Sequence, residues 1–215
     1  MNRKQALPAL TGTLLATLLM LAAPAQALSA DLLTWTRAGD VLIGALSTSA
    51  SLSTAADASG ELPLSGQSAL LYFDLEPALG IAAGTLAADT YEGSGMSQSF
   101  VLAGPTTVSF DWVLASGDAF DAGFADRGFV VVDGSTLLPL GELSASAVGG
   151  SFSITFSVPG NHSLAIGLMD VNDTAGLTTL SISAFNVSAV PEPGSWALML
   201  AGAVVLGAAT RRRRS

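Results

Sequence analysis

Short apolar runs separated by Gly, Ser, Thr, Asn and Asp form the main pattern between residues 28 and 190. In residues 106–114 every second side chain is apolar, which is typical of a strand with one buried face. Residues 151–158 alternate in the same way, and residues 129–132 are continuously apolar, as in a fully buried strand. The pattern therefore predicts short strands joined by turns.

The rest of this region fits the same interpretation. Further strands are predicted at residues 32–35, 41–46, 69–75, 97–102, 164–169 and 178–187. Residues 47–66 are predicted to be a low-complexity loop, and residues 76–84 are ambiguous, with one helical turn as an alternative. About nine short strands without a long helix predict an all-β fold, a jelly-roll-type β-sandwich. A fixed repeat, which a propeller or β-helix would need, is not visible.

The N-terminus has the order of a secretory signal peptide. Arg3 and Lys4 precede an apolar stretch at residues 7–22, and the small residues Ala25 and Ala27 form a cleavage site. We predict cleavage after Ala27 by signal peptidase, following export by the general secretion machinery. A membrane helix that is retained is the alternative.

The C-terminus also combines an apolar segment with basic residues. Residues 196–210 form an apolar segment that, as a helix, would span about 22 Å, short of the ~30 Å hydrocarbon core of a bilayer. Four arginines follow it and would keep that end in the cytoplasm: Arg211, Arg212, Arg213 and Arg214. The domain between the two ends is thus expected outside the cytoplasm. A short span favours a signal that is removed, and a permanent anchor is the alternative.

The tail as a whole carries a resemblance. Val190-Pro191-Glu192-Pro193, then Trp196 and the apolar run, then the four arginines, resembles the PEP-CTERM sorting signal of Gram-negative bacteria. The resemblance implies recognition by an exosortase, a membrane enzyme that cuts near Pro191, Glu192 and Pro193. It also implies a protein at the cell surface or outer envelope, or in the extracellular matrix, associated with exopolysaccharide or biofilm. The predicted organisation is a signal peptide at 1–27, a domain at 28–188 and a sorting signal at 189–215.

Removing the two ends changes the charge of the chain. Two of the eight basic residues lie in the signal peptide and four in the tail, which leaves Arg37 and Arg127 against sixteen acidic residues. A net charge near −14 excludes nucleic acid as a partner, because such binding needs a basic surface. The chain has no cysteine, so disulfides, thiol catalysis and cysteine-based zinc sites are excluded.

Acidic residues cluster in two predicted loops. Asp118, Asp121 and Asp126 lie in the first loop, and Asp170 and Asp173 follow a later strand. Two interpretations stay open: the two loops meet and their oxygens bind Ca²⁺, or these residues start turns. The spacing is not that of an EF-hand, and no other cofactor is suggested.

Enzymatic chemistry finds little support in the sequence. The single histidine, His162, is predicted to be a solvated turn residue rather than part of a catalytic triad. A glycosidase would need two positioned carboxylates, and nothing in the order of residues selects a pair. Among the aromatic residues, Trp112 alternates with apolar neighbours and is predicted to be core, whereas Tyr91 is the candidate for stacking on sugar.

A second, broader resemblance lies inside the domain. It rests on five segments, at residues 92–100, 108–112, 127–132, 164–171 and 180–187. They are similar to the jelly-roll domains of many PEP-CTERM proteins, which are akin to lectins and carbohydrate-binding modules. The two terminal signals and the lack of catalytic residues in the domain together predict an exported, non-enzymatic surface protein. A calcium-dependent carbohydrate-binding adhesion module and a matrix polysaccharide hydrolase are the alternatives.

Overall fold

The fold is taken from a computed structural model, which describes residues 28–56, 60–86, 89–117, 125–172 and 176–190. This part of the chain holds a short 3-10 helix at Leu32–Thr34, one α-helix, α1, at Tyr72–Leu79, and eleven strands. The strands are β1 (Thr36–Ala38), β2 (Asp40–Ile43), β3 (Ala50–Ser53), β4 (Leu70–Leu71), β5 (Thr90–Leu102), β6 (Thr106–Ser116), β7 (Arg127–Val132), β8 (Thr136–Glu142), β9 (Val148–Phe156), β10 (Gly160–Val171) and β11 (Thr178–Ala189).

The strands form two antiparallel sheets that pack face to face. Sheet A has the order β1-β5-β10-β7-β8, with β4 paired to the start of β5, and sheet B has the order β2-β3-β11-β6-β9. Side chains from the inner faces of both sheets form the main core, which includes Phe110, Leu168 and Ile182. The predicted all-β, jelly-roll-type sandwich is confirmed.

Strands with clear alternation are found where they were predicted. β6 extends the predicted strand at 106–114 by two residues, and its buried and less buried side chains alternate along the strand. β7, β9, β10 and β11 also coincide with predicted strands, with shifted ends. Trp112 lies in the core with only 7% of its surface exposed, as predicted.

Several local predictions were wrong. Residues 32–34 form a 3-10 helix rather than a strand, because the Asp31 carboxylate accepts the backbone N–H of Leu33 and caps a turn. The loop predicted at 47–66 contains β3, in which Leu52 is fully buried. β8 was missed, since Pro139 obscures a strand that is tolerated only because it lies at a sheet edge.

The segment around α1 also differs from expectation. Only Leu70–Leu71 of the predicted strand at 69–75 is extended, and the chain then turns into α1. The helix lies on the outer face of sheet A, where Leu75 and Leu79 join a second apolar cluster with Phe129 and Met169. Gly95 makes this approach possible, because a Cβ there would lie 2.6 Å from Leu79 Cδ1.

The sandwich has two distinct ends. At the first, which we call the loop end, β5 begins at Thr90 and β10 finishes at Val171. At the opposite tail end, β11 finishes at Ala189, and the Val190 N–H donates to the Pro105 carbonyl. β11 has twelve residues, so the two ends are about 40 Å apart. Within the described residues, no helix is long and apolar enough to span a membrane.

Candidate functional site

Three exposed aromatic side chains define a surface at the loop end. Tyr72, Phe73 and Tyr91 are 38%, 55% and 51% exposed, whereas every other aromatic side chain in the described part of the chain is buried or half-buried. The rings of Tyr72 and Phe73 meet edge to face, with centroids 5.5 Å apart. We call these three residues the aromatic cluster.

Strand pairing explains why the aromatic cluster is assembled. Leu71 pairs with Glu92, so Tyr91, one residue earlier on β5, lies opposite Tyr72, the first residue of α1. The turn from β4 into α1 also places Phe73 on the exposed side of the helix, since Leu75 and Leu79 take the buried side. Exposed aromatic rings grouped in this way are typical of a binding surface.

A pocket lies toward the loop end of the outer face of sheet A. It has a volume of about 360 Å³, and its walls come from the ends of β7, β8 and β10. The lining residues are Arg127, Gly128, Phe129, Leu137, Pro139, Gly141, Glu142 and Met169. We call it the Arg127 pocket.

The polar side of this pocket is an ion-pair network. Arg127 Nη1 donates to Asp89 Oδ2 at 3.0 Å, and Arg127 Nε lies 3.5 Å from Glu142 Oε2. Glu142 is the more exposed of the two carboxylates. The network thus offers both hydrogen-bond donors and acceptors next to an apolar wall.

Buried acidic residues also gather at the loop end. Asp126 precedes β7, and its Oδ1 accepts the backbone N–H of Val171 at 3.2 Å, which holds it beside Asp170 near the end of β10. Asp126 and Asp170 are therefore brought together, although 44 positions separate them in the sequence. Asp118, Asp121 and Asp173 lie outside the described residues. Within those residues no group of three or more acidic or histidine side chains could hold a metal ion, and calcium binding stays a prediction.

Glu92 is a buried carboxyl group at the same end. Burial, and secondarily the charge of Glu61, raise its pKa to about 7. Glu61 is held in place by two backbone N–H groups, those of Gly176 at 3.1 Å and Ala56 at 3.3 Å. Glu92 is only 6% exposed, and its Oε1 has no hydrogen-bond partner among the described residues.

The tail end carries a more open polar groove, about 660 Å³ in volume, which is lined by residues of β5 and β10 and by the turn after β7. His162 and Asp133 line it. The prediction that His162 is a solvated turn residue was wrong: it lies in β10, and its side chain is only 14% exposed. His162 Nδ1 is 3.1 Å from Asp133 Oδ1, and Nε2 is 2.9 Å from the Val158 carbonyl oxygen.

The predicted processing residues belong to parts of the chain that the structure does not describe. Ala25 and Ala27 lie outside the described residues, and so do the processing motif and the basic stop: Pro191, Glu192, Pro193, Arg211, Arg212, Arg213 and Arg214. Tyr91 is described and exposed, and it lies near the start of β5.

Phe73 and the partners of Arg127 were not among the residues predicted to be functional. Phe73 lies in a segment that was assigned to a buried strand, so its apolar character was interpreted as core. Asp89 and Glu142 are 53 positions apart and meet at Arg127 only through strand pairing. The one available signal was that Arg127 is one of only two basic residues in an acidic domain.

The tail matches a known family model. Residues 189–214 match the PEP-CTERM protein-sorting motif, which confirms the resemblance noted in the sequence. The chain thus carries the sorting signal of an exported protein.

Solved structures similar to this chain are β-sandwiches. The structure of TmCBM61 in complex with β-1,4-galactotriose is 15% identical, with a TM-score of 0.33, and the match covers 73% of this chain and 89% of that one. A CBM4 structure is 11% identical, with a TM-score of 0.36 and coverage of 75% and 100%. A CBM35 from Cellvibrio japonicus is 16% identical, with a TM-score of 0.25 and coverage of 46% and 72%. A search of the curated proteins finds no match.

Proposed function

We propose that this protein is an exported, non-enzymatic glycan-binding module, which an exosortase-type enzyme processes at its tail and which acts in exopolysaccharide at the cell surface. The observation that carries the proposal is the aromatic cluster at the loop end. Tyrosine and phenylalanine rings offer flat apolar faces against which the C–H groups of a sugar ring can pack, while the tyrosine hydroxyls stay hydrated.

The position of the aromatic cluster supports this role. The sorting signal begins at residue 189, where β11 ends at the tail end, about 40 Å from the aromatic cluster. A domain held by that segment would present Tyr91 and Phe73 away from its point of attachment. The strong negative charge of the domain also favours neutral glycans over anionic partners.

The carboxyl groups at the loop end favour a role in binding over one in hydrolysis. A carboxyl group with a pKa of about 7, such as that of Glu92, resembles the general acid of a glycosidase. Glu92 is nearly inaccessible, however, and both carboxylate oxygens of Glu61 already accept backbone N–H groups. A glycosidase needs two carboxyl groups that flank an accessible substrate bond. We therefore assign these residues to the interior of the domain rather than to catalysis.

The test is binding of the full-length protein to exopolysaccharide from its own host. In affinity electrophoresis we expect Phe73→Ala and Tyr91→Ala each to weaken binding about tenfold, in line with the loss of an aromatic contact at an interface. Leu46→Ala is the matched control, because Leu46 is 82% exposed in the β2–β3 turn, away from the loop end. Unchanged binding in both aromatic variants would refute the assignment, as would release of reducing sugar by the parent protein.

A further inference from the structure

We infer that the Arg127 pocket binds one neutral sugar residue in which a methyl group replaces the hydroxymethyl group, as in a 6-deoxyhexose. This inference rests on the proposed glycan-binding function and specifies the sugar class. It starts from the contrast between the two sides of the pocket, one apolar and one ionic.

The apolar wall is unsuited to a hydroxyl-covered sugar. Phe129 and Met169 are buried beneath it, and Leu137 and Pro139 stand at its edge strand. A hydroxyl placed against these side chains would lose its water without gaining a hydrogen bond, whereas a methyl group there gains by leaving water. The wall thus selects for a substituent without a polar atom.

The ionic side of the pocket suits the uncharged hydroxyl groups of a sugar. Arg127 can donate to a sugar oxygen, and Glu142 can accept from a sugar hydroxyl, so the pair can hold two neighbouring hydroxyls. Arg127 brings one positive charge, while Asp89 and Glu142 bring two negative charges. The network is therefore net negative, which disfavours uronic acids and other anionic sugars.

The volume and the position of the Arg127 pocket fit a single sugar residue within a longer glycan chain. A volume of about 360 Å³ lies near the lower limit of small-molecule sites, which run from roughly 300 to 1,000 Å³. Arg127 pairs with Met169, and Met169 pairs with Gly93, so Arg127 lies two strands from Gly93. Tyr91 is two residues further along β5, which places its backbone about 12 Å from that of Arg127. One oligosaccharide can therefore reach both the Arg127 pocket and the aromatic cluster.

The experiment uses sugar pairs that differ at one position. Isothermal titration of the full-length protein would compare L-fucose with L-galactose and L-rhamnose with L-mannose, since each pair exchanges one methyl for a hydroxymethyl group. We expect the deoxy sugar of at least one pair to bind about tenfold more tightly, the scale of discrimination that an apolar pocket provides. D-Galacturonate is the anionic probe and is expected to bind more weakly than either deoxy sugar.

Two variants separate the roles of the walls. Pro139→Ser is expected to reduce the preference for the deoxy sugar, because it replaces an exposed apolar group at the pocket edge. Glu142→Gln is expected to weaken binding of both members of a pair. Asp111→Asn, the same change of charge on the outer face of sheet B, is the matched control.

The outcomes distinguish the two proposals. Equal binding within both pairs, tighter binding of galacturonate, or no measurable monosaccharide binding would overturn the inference. In each case the glycan-binding function would stand if Phe73→Ala and Tyr91→Ala still weaken binding to exopolysaccharide. If the parent protein binds no exopolysaccharide and no monosaccharide, both proposals fail.

Discussion

His162 and Asp133 lie 3.1 Å apart, Nδ1 to Oδ1, and the other ring nitrogen of His162 contacts the carbonyl oxygen of Val158. Both partners are hydrogen-bond acceptors, so the doubly protonated imidazolium satisfies both contacts at once. Burial alone would lower the pKa of His162, but the hydrogen bonds to Val158 and Asp133 and the charge of Asp133 raise it above its usual value. The histidine links two turns at the tail end.

The contact between His162 and Asp133 makes the stability of the domain depend on pH. Because the folded pKa of His162 is raised, its contribution to stability is complete below about pH 6.5 and is lost as the pH rises through the folded pKa. We expect the loss to be about 1 kcal/mol, given solvent screening. Chemical denaturation of parent and His162→Gln between pH 6 and 9 measures it. A His162→Gln variant with the same pH dependence as the parent would contradict the assignment.

Glu92 also makes the stability of the domain depend on pH, in a lower pH range. Its pKa rises from 4.5 to about 7 on folding, so stability is greatest below pH 4.5 and falls as the pH rises to about 7. Other carboxylates titrate in this range, so the diagnostic quantity is the difference between parent and Glu92→Gln. We expect Glu92→Gln to gain roughly 2 kcal/mol relative to the parent between pH 4 and pH 8. Asp111→Asn serves as the control, and a constant difference between parent and Glu92→Gln would contradict the prediction.

Asp40 anchors the loop that precedes α1. Its buried carboxylate accepts the backbone N–H groups of Leu64 and Ser65, each at 2.7 Å, together with the hydroxyls of Ser53 and Ser65. The amide of asparagine cannot accept all four, because an NH2 group, which only donates, replaces one carboxylate oxygen. We expect Asp40→Asn to destabilise the domain by about 2–4 kcal/mol, measured by chemical denaturation. A loss below 0.5 kcal/mol, the scale of a typical surface substitution, would show that the network is not needed.

Calcium binding is tested directly by titration of the full-length protein. If the two acidic loops form a site, Ca²⁺ raises the melting temperature, and the combined variant Asp126→Asn and Asp170→Asn abolishes the effect. Mg²⁺ is the control cation, since it demands a smaller and more regular site. The absence of both binding heat and a thermal shift would favour the alternative, in which these residues start turns.

The sequence predicted the sandwich wherever alternation was regular. β6 and β9 show a period of two because one face is buried and the other faces solvent. β3 was hidden because two of its three buried positions hold small residues, Ala50 and Ser53, and only Leu52 is large. The start of α1 was hidden for the opposite reason, since Tyr72 and Phe73 are bulky and apolar, yet exposed.

The candidate site could be predicted only in part. Tyr91 was selected because polar residues and glycine follow it, a local signal that suggests exposure. The Arg127 pocket depends on pairing between β7, β8 and β10, and pairing depends on contacts far apart in the sequence. Asp89 illustrates the difficulty, because only the course of the chain at the start of β5 brings it to Arg127.

The placement of β11 has a mechanical consequence. β11 is an interior strand, hydrogen-bonded to β3 on one side and to β6 on the other, and it leads directly to Val190. A pull on Val190, opposed by a ligand held at the loop end, acts along the axis of β11. The inter-strand hydrogen bonds run across that axis, so they would be sheared together rather than peeled apart one at a time. If the domain is attached through its tail and binds its ligand at the loop end, as proposed, this arrangement would resist tension between the two.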